Sequence, residues 1–375
     1  MTKHVPILIL GAGPAGLTLS RELTRQGRTC LVLEKGSRAG ESFAHYPRHI
    51  WFGPWLNNML PGTPVPWTWW PRRATQPDYA AYLEGYAVQH ALPIRFGVKV
   101  QQVSHDGHRF LVATSEGDFS CSVLVNATGY FSQPYLPEIP GLHESGIPVM
   151  HSRDYRESAD LRRLLGGRRG KVLVVGQGLS AGEAMCELVR DGYQVGLSHR
   201  GKLTIGPSVV VETLLSPLTW VREQLAVHYG WRLNSSPPMA GGRSRELLSS
   251  GAVPTYPPMT RAVDGEIVFQ DGRRDRFDAV LFCTGYNYAA GHLSGLLGAG
   301  GPVLKDGVES ATVPGLFFLG LDQQRSFRSR FLRGLREDAE HLAARLLQLA
   351  PEPSVEVRDL RPGPPEVPPR PRAVR

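Results

Sequence analysis

Two glycine-rich turns, each set between an apolar run and a helical stretch, constrain this chain more than anything else in it. The first reads Ile7-Leu8-Ile9-Leu10-Gly11-Ala12-Gly13-Pro14-Ala15-Gly16, the second Lys171-Val172-Leu173-Val174-Val175-Gly176-Gln177-Gly178-Leu179-Ser180-Ala181-Gly182-Glu183. Glycine fills 42 of 375 positions, so the bare spacing G-x-G-x-x-G arises by chance about half a time in such a chain, and only its setting makes it informative. Residues 5–10 are continuously apolar, as a buried parallel strand requires. The glycines follow at once, then a helical stretch over residues 17–26 with Gly27 as its stop. A second apolar strand over residues 29–33 ends on Glu34.

Each glycine has a task in such a turn. Gly11 makes the tight bend, and Gly13 lets the backbone approach a pyrophosphate that the helix N-terminus faces. Gly16 lets helix and strand pack closely. Glu34 stands where a carboxylate accepts hydrogen bonds from ribose hydroxyls. One such turn holds one dinucleotide, so two of them imply two nucleotides held together, with electrons passing between them. The plainer alternative, a glycine-rich strand–helix unit without a ligand, fits this context less well.

The second turn differs from the first. Its strand covers residues 171–175 and its helix 179–190, and Gly176, Gln177, Gly178, Leu179, Ser180 and Ala181 form the loop. Ala181 takes the third glycine place and is still small enough for close packing. The next strand, residues 193–197, ends on Ser198-His199-Arg200 with Lys202 beyond. A carboxylate there would accept the 2′-hydroxyl of NAD and repel a 2′-phosphate, whereas a guanidinium binds that phosphate bidentately. Arg200 and Lys202 therefore favour NADPH over NAD.

Composition narrows the class. A chain of this length buries a large core and divides into about two domains. Hydrophobic content is 41%, and no apolar run approaches the ~20 residues of a membrane helix. The first strand begins almost at the N-terminus, so no signal peptide is expected. The four cysteines, Cys30, Cys121, Cys186 and Cys283, form no C-x-x-C and no metal spacing. Cys30, Cys186 and Cys283 read as small buried residues, and a reduced cytoplasmic protein is expected. The net charge of +8 is spread over scattered arginines, with no nucleic-acid-binding motif beside it.

The fold expected is α/β, with two Rossmann-like dinucleotide-binding domains, the first discontinuous and the second inserted into it. Residues 42–77, rich in Trp, Pro and Gly, read as a functional loop region. A helix over 79–89 follows, then strands over 94–103, 110–115 and 122–126, the last leading into Ala127-Thr128-Gly129. Residues 208–230 contain helical stretches, and 234–258, rich in Ser, Gly and Pro, read as a mobile loop. Strands over 266–269 and 278–282 lead to Cys283-Thr284-Gly285. A strand over 315–320 and a long helix over 332–349 close the fold. The last 25 residues hold eight prolines and five arginines, a composition that buries no core and reads as a disordered tail over 351–375.

Together these motifs resemble the flavin-containing monooxygenases and the wider two-dinucleotide flavoprotein group that includes plant auxin-forming monooxygenases. The resemblance rests on the two turns, Ala127-Thr128-Gly129-Tyr130, His151-Ser152-Arg153-Asp154-Tyr155-Arg156, Cys283-Thr284-Gly285-Tyr286 and Pro314-Gly315-Leu316-Phe317-Phe318-Leu319-Gly320. It covers about residues 5–350. There are departures. The Phe-x-Gly expected three residues before His151 is missing, Leu179 stands where the family has Asn, and the usual Gly-Asp is Gly320-Leu321-Asp322.

The resemblance implies FAD bound by residues 1–150 and 280–350 and NADPH bound by 151–279. It assigns Gly11, Gly13, Pro14, Ala15, Gly16, Glu34, Lys35, Val100, Ala127, Thr128, Gly129 and Asp322 to the first cofactor, with Asp322 on the flavin ribityl chain. It places Asn57 and Asn58 near the flavin C4a edge as catalytic candidates, although two Asn before Pro61 also make an ordinary turn. His151 packs at the domain junction near NADPH or serves as a structural hinge. Trp51, Trp55, Trp67, Trp69 and Trp70 wall an apolar substrate pocket or merely cover the flavin domain. The helix starting near Gly334 would aim its N-terminus at the flavin pyrimidine.

The activity implied is monooxygenation through a flavin C4a-(hydro)peroxide, with O2 and a small nucleophilic (N or S) or carbonyl compound as substrates. No metal is called for. An NADPH-dependent reductase resembling the bacillithiol disulfide reductases, without a C-x-x-C relay, is the second reading. A flavin-bound redox sensor or scaffold is the third.

Overall fold

The computed structural model describes residues 2–45, 54–131, 133–206, 209–231, 233, 238–288, 290–298 and 301–349. The expectations about Trp51 and about the 351–375 tail lie outside the described residues.

Two parallel sheets dominate. The larger has seven strands, in the order Leu304–Lys305, Glu309–Ser310, Leu316–Phe318, Val123–Asn126, Ile7–Leu10, Cys30–Leu33, Ile94–Arg95. The last five are mutually parallel. The smaller has five parallel strands, in the order Val149–His151, Ala279–Phe282, Lys171–Val175, Gln194–Ser198, Thr255–Tyr256. Their central strands are apolar because both faces are covered. Ile7–Leu10, Cys30–Leu33, Val123–Asn126 and Ala279–Phe282 are buried at every position.

Helices supply the cover. Pro14–Arg25 packs against Leu332–Leu347 beside the larger sheet, and Leu179–Arg190 packs against Arg243–Ser249 beside the smaller. The two nucleotide-turn units form where the sequence places them. Lys171–Val175 and Leu179–Arg190 match residue for residue, and the first helix starts earlier than expected, at Pro14. Proline at the first helical position costs no hydrogen bond and has the right φ already set, so the helix begins directly after Gly13.

Several expectations need correction. Residues 94–103 form two strands rather than one. Ile94–Arg95 joins the seven-stranded sheet and Val100–His105 a separate four-stranded one. Gly97, at φ +73°, turns the chain between them. A short strand, Phe119–Cys121, was not foreseen. Residues 238–258 are not a loop, because Arg243–Ser249 is helical and Thr255–Tyr256 is the edge strand of the smaller sheet. Residues 234–237 lie outside the described residues.

Strands Val149–His151 and Ala279–Phe282 both belong wholly to the smaller sheet, so the chain crosses back only after Phe282. Of the cysteines, Cys30, Cys121 and Cys283 are buried while Cys186 is half-buried. Among the described residues no helix is long and apolar enough to cross a membrane.

Candidate functional site

The ends of the two central strands are built alike. Leu10 pairs with Asn126 on one side and Leu33 on the other, as Val175 pairs with Phe282 and Ser198. Gly11 N donates to Leu33 O at 2.8 Å and Ala127 N to Leu10 O at 2.9 Å. In the second unit Gly176 N donates to Ser198 O at 2.9 Å and Cys283 N to Val175 O at 2.8 Å. A Cβ on Gly11 would lie 2.7 Å from Ala127 O, and one on Gly176 would lie 2.5 Å from Cys283 O. Each first glycine is thus required by the same neighbouring carbonyl, and Ala127-Thr128-Gly129 and Cys283-Thr284-Gly285 are equivalent walls.

In the first cradle a Cβ on Gly16 would collide with Gly11 O, whereas one on Gly13 would meet nothing within 4 Å. Gly13 is the N-cap of Pro14–Arg25, with no side-chain cap and no acid in the first turn. The helix therefore starts with no side chain on its first N–H groups and with its positive dipole end at the turn. Glu34 is buried. Its Oε2 accepts from Ala12 N at 2.7 Å and its Oε1 from Gly36 N at 2.8 Å. These bonds hold the carboxylate against the turn and leave lone pairs over.

Gly320 abuts Ala15, 3.7 Å from where its own Cβ would stand. That contact brings the segment carrying Asp322 to the same turn. Asp322 Oδ2 lies 3.5 Å from an Arg330 nitrogen, while Oδ1 is buried and has no hydrogen-bond partner among the described residues. The Arg330 guanidinium sits 5.3 Å from the ring centroid of Tyr130, just past Gly129. Lys35 is exposed and Val100 half-buried in its strand.

In the second cradle Gly178 caps Leu179–Arg190, again with no side-chain cap. The position equivalent to Glu34 is His199, whose Nδ1 is 2.9 Å from Gly201 O. Arg200, Lys202 and Gln177 are exposed, Leu179 and Ser180 half-buried, and Ala181 buried. One feature had no sequence signal. Pro238 forms a β-bridge with Gly178, and buried Met239 lies where a Cβ on Gly182 would be. The second turn is therefore partly roofed by its own chain, and Gly182 is needed for that roof.

The His-Ser-Arg-Asp-Tyr-Arg segment joins the two units. His151 is buried. Its Nε2 donates to Gly285 O at 3.1 Å, and its Nδ1 accepts from Arg153 N at 3.1 Å. Both nitrogens are committed as the neutral Nε2–H tautomer, and burial lowers the pKa. Tyr155 donates to Glu187 Oε2 at 2.7 Å, anchoring the second nucleotide helix. Arg156 reaches His45 Nδ1 at 2.9 Å, and His45 Nε2 donates to Glu41 at 2.7 Å.

The returning chain is zipped to the outgoing one. Tyr286–Asn287 pairs with Gln133–Pro134, Thr284 Oγ1 donates to Tyr135 O, and the Tyr286 ring meets those of Phe131 and His151 edge-on at 5.2 Å. Beyond it lies a cluster that the sequence did not announce. Buried Asn126 donates to Tyr288 Oη at 2.7 Å, and its Oδ1 accepts from His292 Nε2 at 2.9 Å and from Thr128 Oγ1 at 3.3 Å. Burial raises the Tyr288 pKa and lowers that of His292.

The remaining candidates separate. Asn58 is buried, with its side-chain Nδ2 donating to Pro54 O at 3.0 Å and its backbone carbonyl accepting from Tyr79 Oη at 3.1 Å. Asn57 is half-buried at the end of the 3-10 turn Trp55–Asn57. Trp55 is core, 3% exposed and packed against Tyr79 and Tyr82. Trp67 is 76% exposed, and Trp69 and Trp70 are also exposed.

A family model, pyridine nucleotide-disulphide oxidoreductase, matches residues 8–230. The chain belongs to that family. Membership makes it an oxidoreductase. Among curated relatives, an uncharacterised CzcO-like oxidoreductase of Geobacillus kaustophilus is 28% identical over 91% of this chain and 98% of its own length. A probable indole-3-pyruvate monooxygenase of Arabidopsis thaliana is 27% identical over 92% and 89%. Among solved structures, a flavin-containing monooxygenase from Stenotrophomonas maltophilia superposes with a TM-score of 0.76 at 23% identity, covering 92% of this chain and 99% of that one. The fold is thus the two-Rossmann α/β architecture expected.

Proposed function

We propose that this chain is a flavin-dependent monooxygenase. It holds FAD in the first cradle and NADPH in the second, and places one oxygen atom of O2 on a small nucleophilic (nitrogen or sulfur) or carbonyl substrate. The observation that carries this reading is the pair of equivalent cradles with unlike charges, Glu34 at one and Arg200 with Lys202 at the other. No C-x-x-C exists to carry electrons onward to a disulfide. The monooxygenase relatives and the fold support the same reading.

The first cradle fits FAD on three counts: the open space over Gly13, the uncapped helix start behind it, and the unpartnered Asp322 Oδ1. Gly11, Gly13, Pro14, Ala15 and Gly16 would pass the pyrophosphate to the helix N-terminus. Glu34 would accept from the adenosine ribose, with Lys35 beside it. Asp322 Oδ1 would accept a ribityl hydroxyl, and Ala127, Thr128, Gly129 and Val100 would wall the site. In the second cradle Gly176, Gln177, Gly178, Leu179, Ser180 and Ala181 would hold the NADPH pyrophosphate, and Arg200 with Lys202 its 2′-phosphate.

Bound FAD would supply two-electron exchange with nicotinamide and reactivity toward O2, chemistry that side chains lack. The protein's part is to position both nucleotides and exclude water. His151, locked neutral between Arg153 and Gly285, sets the junction between the two seats. Asn57 would donate a hydrogen bond toward the reacting oxygen or the nicotinamide, and Asn58, whose Nδ2 donates to Pro54 O, shapes the turn that would present it. Four cysteines with no C-x-x-C and no metal spacing among them fit a reducing compartment such as the cytoplasm.

The test is to purify the protein with its cofactor, reduce it anaerobically with NADPH and mix it with oxygenated buffer in a stopped-flow spectrometer. The reading predicts a long-lived absorbance species distinct from oxidised and reduced flavin. It also predicts oxygenated product from at least one amine, sulfide or ketone in step with NADPH use. Immediate reoxidation with all electrons recovered as hydrogen peroxide contradicts it. Turnover of added disulfides instead would establish the reductase.

A further inference from the structure

Asn126 lies inside the larger sheet, and its backbone and side chain serve different parts of the molecule. Its position pairs with Leu10 on one side and Phe318 on the other, and its carbonyl accepts from Leu319 N at 3.1 Å. The backbone is thereby fixed within the first unit. The side chain, 1% exposed, meets residues 162 and 166 positions away. Nδ2 donates to Tyr288 Oη at 2.7 Å, and Oδ1 accepts from His292 Nε2 at 2.9 Å. Oδ1 also accepts at 3.3 Å from the hydroxyl of Thr128, in the wall of the first cradle. One amide therefore ties that wall to the chain returning from the second unit.

Both distant partners are themselves anchored. His292 lies in the 3-10 turn Gly291–Leu293, and Leu293 is fully buried in a core with Phe110, Leu316 and Phe318. Tyr288 directly follows Tyr286–Asn287, which pairs with Gln133–Pro134 of the outgoing chain. Farther out, Tyr135 N donates to Gly285 O at 2.9 Å and Thr284 Oγ1 donates to Tyr135 O. The two connections between the units are thus laced at both ends, by backbone pairing toward the second unit and by the Asn126 amide at the first cradle.

The polar character of this node matters. Apolar side chains would hold the same segments together but let them slide, because apolar burial is non-directional. Hydrogen bonds to one buried amide fix direction as well as distance, and a member left unpaired carries its full desolvation penalty. Such a node suits a connection whose geometry counts as much as its cohesion. Hydride transfer between two bound nucleotides is of that kind, since a misplacement of about 1 Å costs on the order of 100-fold in rate.

We infer that Asn126 is a positioning residue that, through Tyr288 and His292, sets the separation of the two nucleotide seats for hydride transfer. The node stands on the geometry, and its part in hydride transfer rests on the proposed seating of FAD and NADPH. The three residues act through the laced connections.

Four variants of the full-length protein test this. Tyr288→Phe and His292→Leu each remove one bond of the node, His292→Gln keeps an N–H donor, and Asn126→Leu removes every bond of the amide. Anaerobic stopped flow separates the limiting rate of flavin reduction from the dissociation constant for NADPH. Tyr288→Phe and His292→Leu should slow the limiting rate by about tenfold while the dissociation constant stays within about twofold. His292→Gln should keep the rate within about threefold, and Asn126→Leu should be slowest. If Asn126→Leu does not fold, the single-bond variants carry the test. Backbone hydrogen exchange on the resting protein should rise by about tenfold at Tyr135 and across 284–288 in Tyr288→Phe and His292→Leu, and not in His292→Gln. Unchanged rates or unchanged exchange in both of those variants would overturn the node. So would a dissociation constant that rises in step with the loss of rate, or His292→Gln as slow as His292→Leu. An unaltered protein that binds no flavin, or whose flavin NADPH fails to reduce, would instead refute the functional reading, with hydrogen exchange still deciding whether the node holds the connections.

Discussion

The two cradles share one backbone plan and differ in what stands around it. In the first, the third glycine is obligatory and the acid at the strand end is buried, with both oxygens fixed by Ala12 N and Gly36 N. In the second, the third place already carries a Cβ, the strand end is basic and exposed, and Pro238 and Met239 lie across the turn. A rigid, buried acid suits a nucleotide that stays. Exposed cations at a partly roofed turn suit one that is exchanged at each turnover. On the proposed reading, the shared plan sets where dinucleotides sit, and the differences set which one sits where and for how long.

The largest test of the contrast is a reciprocal substitution. Gly16→Ala puts a Cβ onto Gly11 O and should cost more than about 3 kcal/mol, leaving protein that is insoluble or free of flavin. Ala181→Gly removes a tolerated methyl and should cost only about 1 kcal/mol of helix stability. Chemical denaturation and flavin content read both. Equal losses would mean the turns are not distinct in the way described.

Next is charge. Arg200→Glu removes a charge-assisted bond of about 1.5–3 kcal/mol, so KM for NADPH should rise about 10- to 150-fold while that for NADH stays or improves. Glu34→Gln should leave NADPH affinity alone and strip flavin, with retention falling by about tenfold as one backbone N–H meets an amide nitrogen. Steady-state kinetics with both coenzymes and the flavin-to-protein absorbance ratio decide this. A parallel rise in both KM values for Arg200→Glu breaks the assignment.

A smaller effect probes the seam between the cradles. His151 and His292 both have pKa values lowered from 6.5 by burial. The folded state therefore binds fewer protons than the unfolded chain. The stabilisation is complete above about pH 6.5 and is lost as pH falls through the lowered values. Melting temperature should drop from neutral toward pH 5.5, and the drop should shrink in His151→Gln combined with His292→Gln. The smallest effect concerns the aromatic loop. Trp67→Ala should change stability by no more than about 0.5 kcal/mol, against about 3–5 kcal/mol for Trp55→Ala. A substrate-dependent change in KM for Trp67→Ala would give its exposed ring a binding role.

Much of this was legible in the sequence where local pattern and tertiary structure agree. Val172 to Val175 and the helix from Leu179 are fixed by an apolar run, two glycines and a stop, so their ends read directly. The positions of Glu34 and Arg200 just past strand ends were legible because an apolar run precedes each, and strand ends feed the ligand side of such sheets. The break at Gly97 was not, because the apolar pattern runs on while the chain changes sheets. Nor was the roof over Gly178, since Pro238 and Met239 look like any Pro- and Ser-rich connection. The Asn126–Tyr288–His292 cluster carries no sequence signal because its members lie far apart in the chain and meet only after the crossover closes. Asn57 and Asn58 look alike in sequence. Only the fold shows that Asn58 spends its amide on Pro54 while Asn57 stays half-exposed.

The most direct test of the central claim is an anaerobic titration of the purified protein with NADPH, followed by flavin absorbance and repeated with NADH. Two seats working as a pair predict about one retained flavin per chain, bleached by about one equivalent of NADPH and far more slowly by NADH. Protein that retains no flavin, or a retained flavin that NADPH leaves oxidised, would contradict it.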